Sequence, residues 1–299
     1  MTDHVSAQTS DRLPQLLSEA LSQNIPVTLS NSRQKQDLEP RKAARIGRVR
    51  WVTEVNQALG EGLATSRWLS QVKDDQIRAG RQICQDLWPF IRELPDYMSA
   101  VKDKLPESLE PAKHFLDNLS DEERHFQDLY LKQCELAGLS RHDLMTTNTE
   151  TSAATAALLA AMNRACFEGD VVSGAQAIVV AELAATQFAR SATATFEQYF
   201  SQHLDQYGSE HIEEGLKWLR LHAKPNTRHA LWMNRMLVGL NQEDDSTVLP
   251  ETVSEILQAI FGLWCVEETI VKGWLGQTHT KERVRCQAIN NQGSSGENR

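Results

Sequence analysis

Apolar residues recur at steps of three and four along most of this chain. No period-two alternation rich in β-branched residues lasts even six positions, so the pattern predicts helices and no strands. Between residues 41 and 71 the period is carried by Trp51, Val55, Leu59, Leu63, Trp68 and Leu69, in two pieces around Gly60 and Gly62. It continues from Asp74 to Arg92 with a break or kink expected at Pro89, and a shorter helix bearing Tyr97, Met98 and Val101 follows Pro95. No proline occurs between Pro111 and Pro225. Within that run Gly138, Gly169 and Gly208 stand where helices would end, followed by polar restarts at Ser140, Asp170 and Ser209. The expected helices are 113–137, 141–168, 171–207 and 209–223, with a last one over 251–275 carrying Ile256, Leu257, Ile260, Phe261 and Trp264. Residues 1–40 read as a polar extension with a small docking helix, 41–276 as one all-α domain and 277–299 as a disordered polar tail.

Several of these apolar stripes contain polar residues. From Trp218 to Leu237 the same helical face collects Trp218, Leu219, His222, Asn226, His229, Met233, Met236 and Leu237. A polar group buried without a partner costs about 1 to 3 kcal/mol, so two histidines and an amide on that face need a reason. One reading is a hydrogen-bonded core; the other is a set of ligands converging on a metal ion. Glu182 lies among Ile178, Val179, Ala185 and Thr186, where an ionised carboxylate also needs a cation or a histidine. Glu122 and His125 stand three apart on a helix, which places a carboxylate and an imidazole on adjacent turns of one face. By itself this spacing is weak evidence, because the run D-E-E-R-H also reads as a solvated charged run opening a helix after Ser120. Mixed carboxylate and imidazole donors favour iron or manganese over structural zinc. Pro225 stands inside the histidine segment and should kink or restart the helix there.

Composition narrows the partners. The net charge of −9 argues against a general nucleic-acid surface, although Arg41 to Arg50 is locally basic. The five cysteines show no C-x-x-C spacing, which suits reduced thiols in a cytoplasm. The N-terminus lacks a signal pattern, and no apolar run approaches the ~18 residues of a membrane span. A cytoplasmic protein without membrane or nucleic-acid partners is the expectation.

The order E-x-x-H (Glu122, His125), a lone Glu on an apolar helix (Glu182), and H-x-x-x-N-x-x-H (His222, Asn226, His229) resembles the haem-oxygenase-like diiron oxidases, relatives of thiaminase II and the pyrroloquinoline quinone synthase. The phrase H-F-Q-D-L-Y-L-K-Q-C-E-L-A-G-L-S from His125 to Ser140 is similar to their first metal-bearing helix, and the likeness runs from about Gln71 to Leu240. The resemblance implies an all-α haem-oxygenase-like bundle and iron, one ion or two, at Glu122, His125, Glu182, His222, Asn226 and His229. It also implies activation of dioxygen to oxidise a small organic substrate such as an amino acid, aromatic acid or fatty acid, with Ile178, Trp218 and Met233 walling the pocket. Two positions depart from the pattern: Asn226 stands where the family usually has aspartate, and Asn118 where many members have a glutamate; Asp86 or Glu93 could supply a further carboxylate. The alternatives are a metal-free enzyme of the same fold, with Cys134 or Cys166 as nucleophile or with histidines and basic residues binding a polycarboxylate, and a non-catalytic binding protein. A homodimer through exposed helix faces is a further expectation.

Overall fold

The computed structural model describes residues 49–73, 77–146, 151–224, 227–240 and 249–275. The sequence expectations for the N-terminal extension, most of the basic segment, Pro225, Asn226 and the C-terminal tail lie outside the described residues. Among the described residues there is no strand. In chain order the helices are α1 (Arg50–Ala64), α2 (Arg67–Lys73), α3 (Ile77–Lys104), α4 (Glu110–Leu136), α5 (Arg141–Thr146), α6 (Ala153–Asn163), α7 (Val171–Gln202), α8 (Leu204–Tyr207), α9 (Ser209–Gly215), α10 (Lys217–Ala223), α11 (Thr227–Gly239) and α12 (Glu251–Leu263). A 3-10 turn, Glu107–Leu109, precedes α4, and a π-helical turn, Arg164–Glu168, extends α6.

Helix α7 is the axis of the bundle, packed by α1, α2, α3, α10, α11 and α12. Its first half is buried nearly all round, from Gly174 to Glu182, and Asp170 caps its start by accepting from the Ser173 N–H at 2.7 Å. Contrary to the expectation of no long apolar run, α7 is apolar enough to cross a membrane by length and composition. With 61% of its most apolar window buried by neighbouring helices, its environment here is that of a core helix.

The clearest departure from the sequence expectation is at Pro89 and Pro95, which lie inside one continuous helix, α3. A proline removes the hydrogen bond to the carbonyl four residues back, so Pro95 leaves the Ile91 oxygen without its helical donor. The Gln127 amide of α4 supplies the replacement, donating to Ile91 O at 3.2 Å and Arg92 O at 3.0 Å. The Pro95 carbonyl in turn accepts from Ser120 Oγ at 3.0 Å. Neighbouring α4 thus completes the backbone of α3, and the two form the most extensively packed helix pair.

Other helices are shorter than the apolar period suggests. The expected 141–168 helix is divided into α5, α6 and the π turn, and 209–223 into α9 and α10. The last helix stops at Leu263 because Cys265 adopts a left-handed backbone (φ 51°), and helical structure resumes over 268–275. Lys104 ties the end of α3 to the entry of α7. Its ammonium donates to the carbonyls of Cys166, Phe167 and Gly169 at 2.9, 2.8 and 2.7 Å.

Candidate active site

The buried polar residues of the sequence stripes do meet, with one shift of register. On α4 the inward stripe is Leu116, Leu119, Glu123, Tyr130 and Cys134, all buried. Helical spacing from these apolar anchors puts Glu123 in the core, 3% exposed, and turns its neighbours outward. His125 is exposed, so the structure corrects the expected E-x-x-H pair: this imidazole points away from the other candidates. Glu122, at the edge of the stripe, still reaches inward. The signal that finds Glu123 in the sequence is its distance of four and seven residues from Leu119 and Leu116, and of seven from Tyr130.

Two groups form around the histidines. His229, at the start of α11, has Glu182 Oε2 of α7 3.3 Å from Nδ1 and Glu122 Oε2 of α4 3.4 Å from Nε2. Its ring edge packs on Phe115 at 5.8 Å. His222, on α10, donates its Nδ1–H to the Trp218 carbonyl, 2.9 Å away, and presents Nε2 to Glu123 Oε1 at 3.6 Å. Trp218 stacks on His222 at 4.2 Å and Phe126 meets it edge-on at 5.3 Å, which fixes the ring. The helix carrying His222 ends before Pro225: Lys224 is already extended, and Arg190 of α7 caps the Ala223 carbonyl at 3.3 Å. The two histidines are therefore on separate helices and address different carboxylates.

Electrostatics follow from this burial. Desolvation opposes charge on His229, but the Glu122 and Glu182 carboxylates outweigh it and push its pKa up to about 9. Burial likewise opposes charge on His222, and Glu123 outweighs it, so the imidazole is raised. Burial raises the Glu123 carboxyl, partly offset by its hydrogen bond to His222. The Glu123–His222 pair consequently holds on to its proton.

The cluster borders a cavity of about 570 Å³ that is partly open to solvent. Glu123, Glu182, His222 and Trp218 form one end; Leu87, Phe90, Ile91, Leu94, Leu158, Phe188, Ile260 and Trp264 are among the apolar walls. Of the expected pocket residues, Trp218 lines the cavity. Ile178 and Met233 are buried in the core and do not line it, because the cavity meets α7 one turn later, from Glu182 to Phe188, and does not reach α11. Neither Asp86 nor Glu93 reaches the cavity; Glu93 pairs with Arg92 at 2.9 Å near the surface. Cys134 and Cys166 are fully buried, and burial pushes both thiols up, Cys166 to about 12, so neither is an activated nucleophile.

As a holder of iron, the cluster has suitable donor types but not a converging arrangement. Glu182 and Glu122 occupy opposite edges of one imidazole, and His125 is outside the cluster. Among the described residues no three histidine, cysteine or acidic side chains stand where one metal ion could bind them together.

No family model matches the sequence, and no curated protein matches it. Among solved structures, a TenA homolog from Pseudomonas syringae pv. tomato superposes with a TM-score of 0.57 at 15% identity, over 84% of this chain and 100% of that one. A domain of unknown function with a heme oxygenase-like fold from Shewanella denitrificans gives a TM-score of 0.49 at 14% identity, over 83% and 96%. At this identity the likeness to the TenA homolog speaks to architecture alone: the chain has the all-α, haem-oxygenase-like fold of the TenA (thiaminase II) proteins.

Proposed function

We propose that the protein is a small-molecule enzyme that works by proton transfer at the Glu123–His222 and Glu122–His229–Glu182 groups, on an organic substrate held in the adjoining cavity. The observation that carries this reading is the junction of the two: buried carboxylates and an imidazole form one end of a cavity that is otherwise apolar. Buried acid–imidazole pairs hold protons with altered affinity, which is what general acid–base catalysis uses. In this reading Glu123 and His222 share the proton that is passed to substrate. The His229 imidazolium fixes the Glu182 carboxylate at the cavity wall. The test is a turnover screen by mass spectrometry over small amines, acids, esters and alcohols, run with and without EDTA. Turnover that persists in EDTA and drops by about 10² or more in Glu182→Gln and Glu123→Gln supports the reading. Turnover indifferent to both substitutions refutes it.

Iron-dependent oxidation with dioxygen is the second reading, favoured by the donor set itself. Two imidazoles and three carboxylates are the mixture iron takes, and the His222 contact to a backbone carbonyl is one that metal-bound imidazoles commonly make. To serve, Glu122, Glu182 and His229 would have to rearrange from their present ion pairs. Metal analysis of protein expressed with added iron decides: stoichiometric iron that is lost in His229→Ala favours oxidation chemistry over the first reading.

A further inference from the structure

We propose that the cavity takes a molecule with an uncharged oxygen head, a hydroxyl or a primary amide on an apolar body, whose oxygen accepts from Trp218 Nε1. This rests on reading the cavity as the substrate site and adds the class of molecule that fills it. Trp218 forms part of the polar end together with Glu123, Glu182 and His222. It is 3% exposed, and among the described residues nothing accepts from its indole N–H. A buried donor left unpaired is rare and destabilising, so this one calls for an acceptor. The neighbouring rings hold the indole in place without satisfying it. His222 stacks on it at 4.2 Å and Tyr130 meets it edge-on at 5.0 Å, while the Tyr130 hydroxyl donates to the Cys84 carbonyl at 3.1 Å. Glu123 and Glu182 supply the complementary acceptors: a carboxylate has about four lone-pair positions, and an imidazole edge faces one oxygen of each. A hydroxyl or a primary amide both accepts and donates, so one head pairs with the indole and with a carboxylate. An ammonium has no acceptor for Trp218, and a carboxylate has no donor for Glu123 or Glu182; either also brings a charge into a cavity with mainly apolar walls. Phe90, Leu94, Leu158 and the stacked rings of Phe188 and Trp264 at 6.4 Å are among those walls and select an apolar body.

The experiment titrates 1-hexanol, hexanamide, hexylamine and hexanoate calorimetrically into the full chain at neutral pH. It also follows the Trp218 indole N–H by NMR, its resonance identified by its loss in Trp218→Phe. The tighter of the uncharged probes is expected to bind about tenfold or more better than either charged one, and to move the Trp218 indole proton downfield. Trp218→Phe should cut that preference by about tenfold. Ala185→Phe, which fills the cavity one turn beyond Glu182, should weaken every probe. A charged probe within that margin, a preference unchanged in Trp218→Phe, or an indole proton that stays in place on saturation overturns the proposal while leaving the cavity as a binding site. Failure of every probe to bind overturns both. The order of the probes in the unaltered protein decides even where a variant does not fold.

Discussion

A histidine held between two carboxylates makes folding stability depend on pH with a definite sign. The pKa of His229 is about 9 in the folded chain against a reference of 6.5, because Glu182 and Glu122 flank both ring nitrogens. The folded state therefore binds a proton that the unfolded chain has released anywhere between those values. Linkage then gives a contribution fully present below pH 6.5 and lost as pH rises through 9, with a slope of about 1.4 kcal/mol per pH unit between them. Over the window the loss is about 3 kcal/mol. His222, also raised, adds in the same direction. Urea unfolding of the unaltered protein and of His229→Gln, measured at pH 6.5, 8 and 9.5, isolates the term. The difference in stability between the two should shrink by about 3 kcal/mol across the series. A constant difference, or an NMR titration placing the His229 imidazole at or below 6.5, would refute the ion-paired arrangement.

Three further substitutions probe the frame around the site. Gln127→Leu removes the donor to Ile91 and Arg92 carbonyls and should lower unfolding free energy by about 1 to 3 kcal/mol, read by chemical denaturation. Gly215→Ala would set a Cβ 2.7 Å from Leu136 Cβ, an atom tied to the α4 backbone, so about 1 to 3 kcal/mol should be lost and α9 displaced, visible as a fall in melting temperature. Asp170→Ala deletes the α7 cap and should cost about 1 kcal/mol, whereas Asp170→Asn should retain most of the stability.

How far the sequence discloses this molecule can be judged residue by residue. Period and glycine spacing are enough to mark the chain as helical and for the burial of Glu182, His222 and His229, since these depend on local pattern, but not for where several of the helices break. The identity of the buried acid on α4 is less accessible: Glu122, Glu123 and His125 lie within one helical turn, and a rotation of about 100° per residue decides which faces inward. The apolar anchors Leu116, Leu119 and Tyr130 settle that rotation in favour of Glu123, whereas the E-x-x-H spacing alone points to His125. The cavity itself is not legible in the sequence, because its walls come from α3, α4, α6, α7, α10 and α12 and exist only once these pack. The continuity of α3 across two prolines has the same origin, since its missing donor comes from a different helix.

That borrowed donor bears on how the molecule opens and closes. Without α4 beside it, the α3 segment between Pro89 and Pro95 has lost two of its helical hydrogen bonds and has only water for the Ile91 carbonyl, so it is a poor helix alone. The second half of α3 and the middle of α4 should therefore form, and open, in one event. Native-state hydrogen exchange would show this as a shared opening free energy for amides around Leu94 and Gln127, a cooperative unit that also carries Glu123, one of the two carboxylates at the polar end of the cavity.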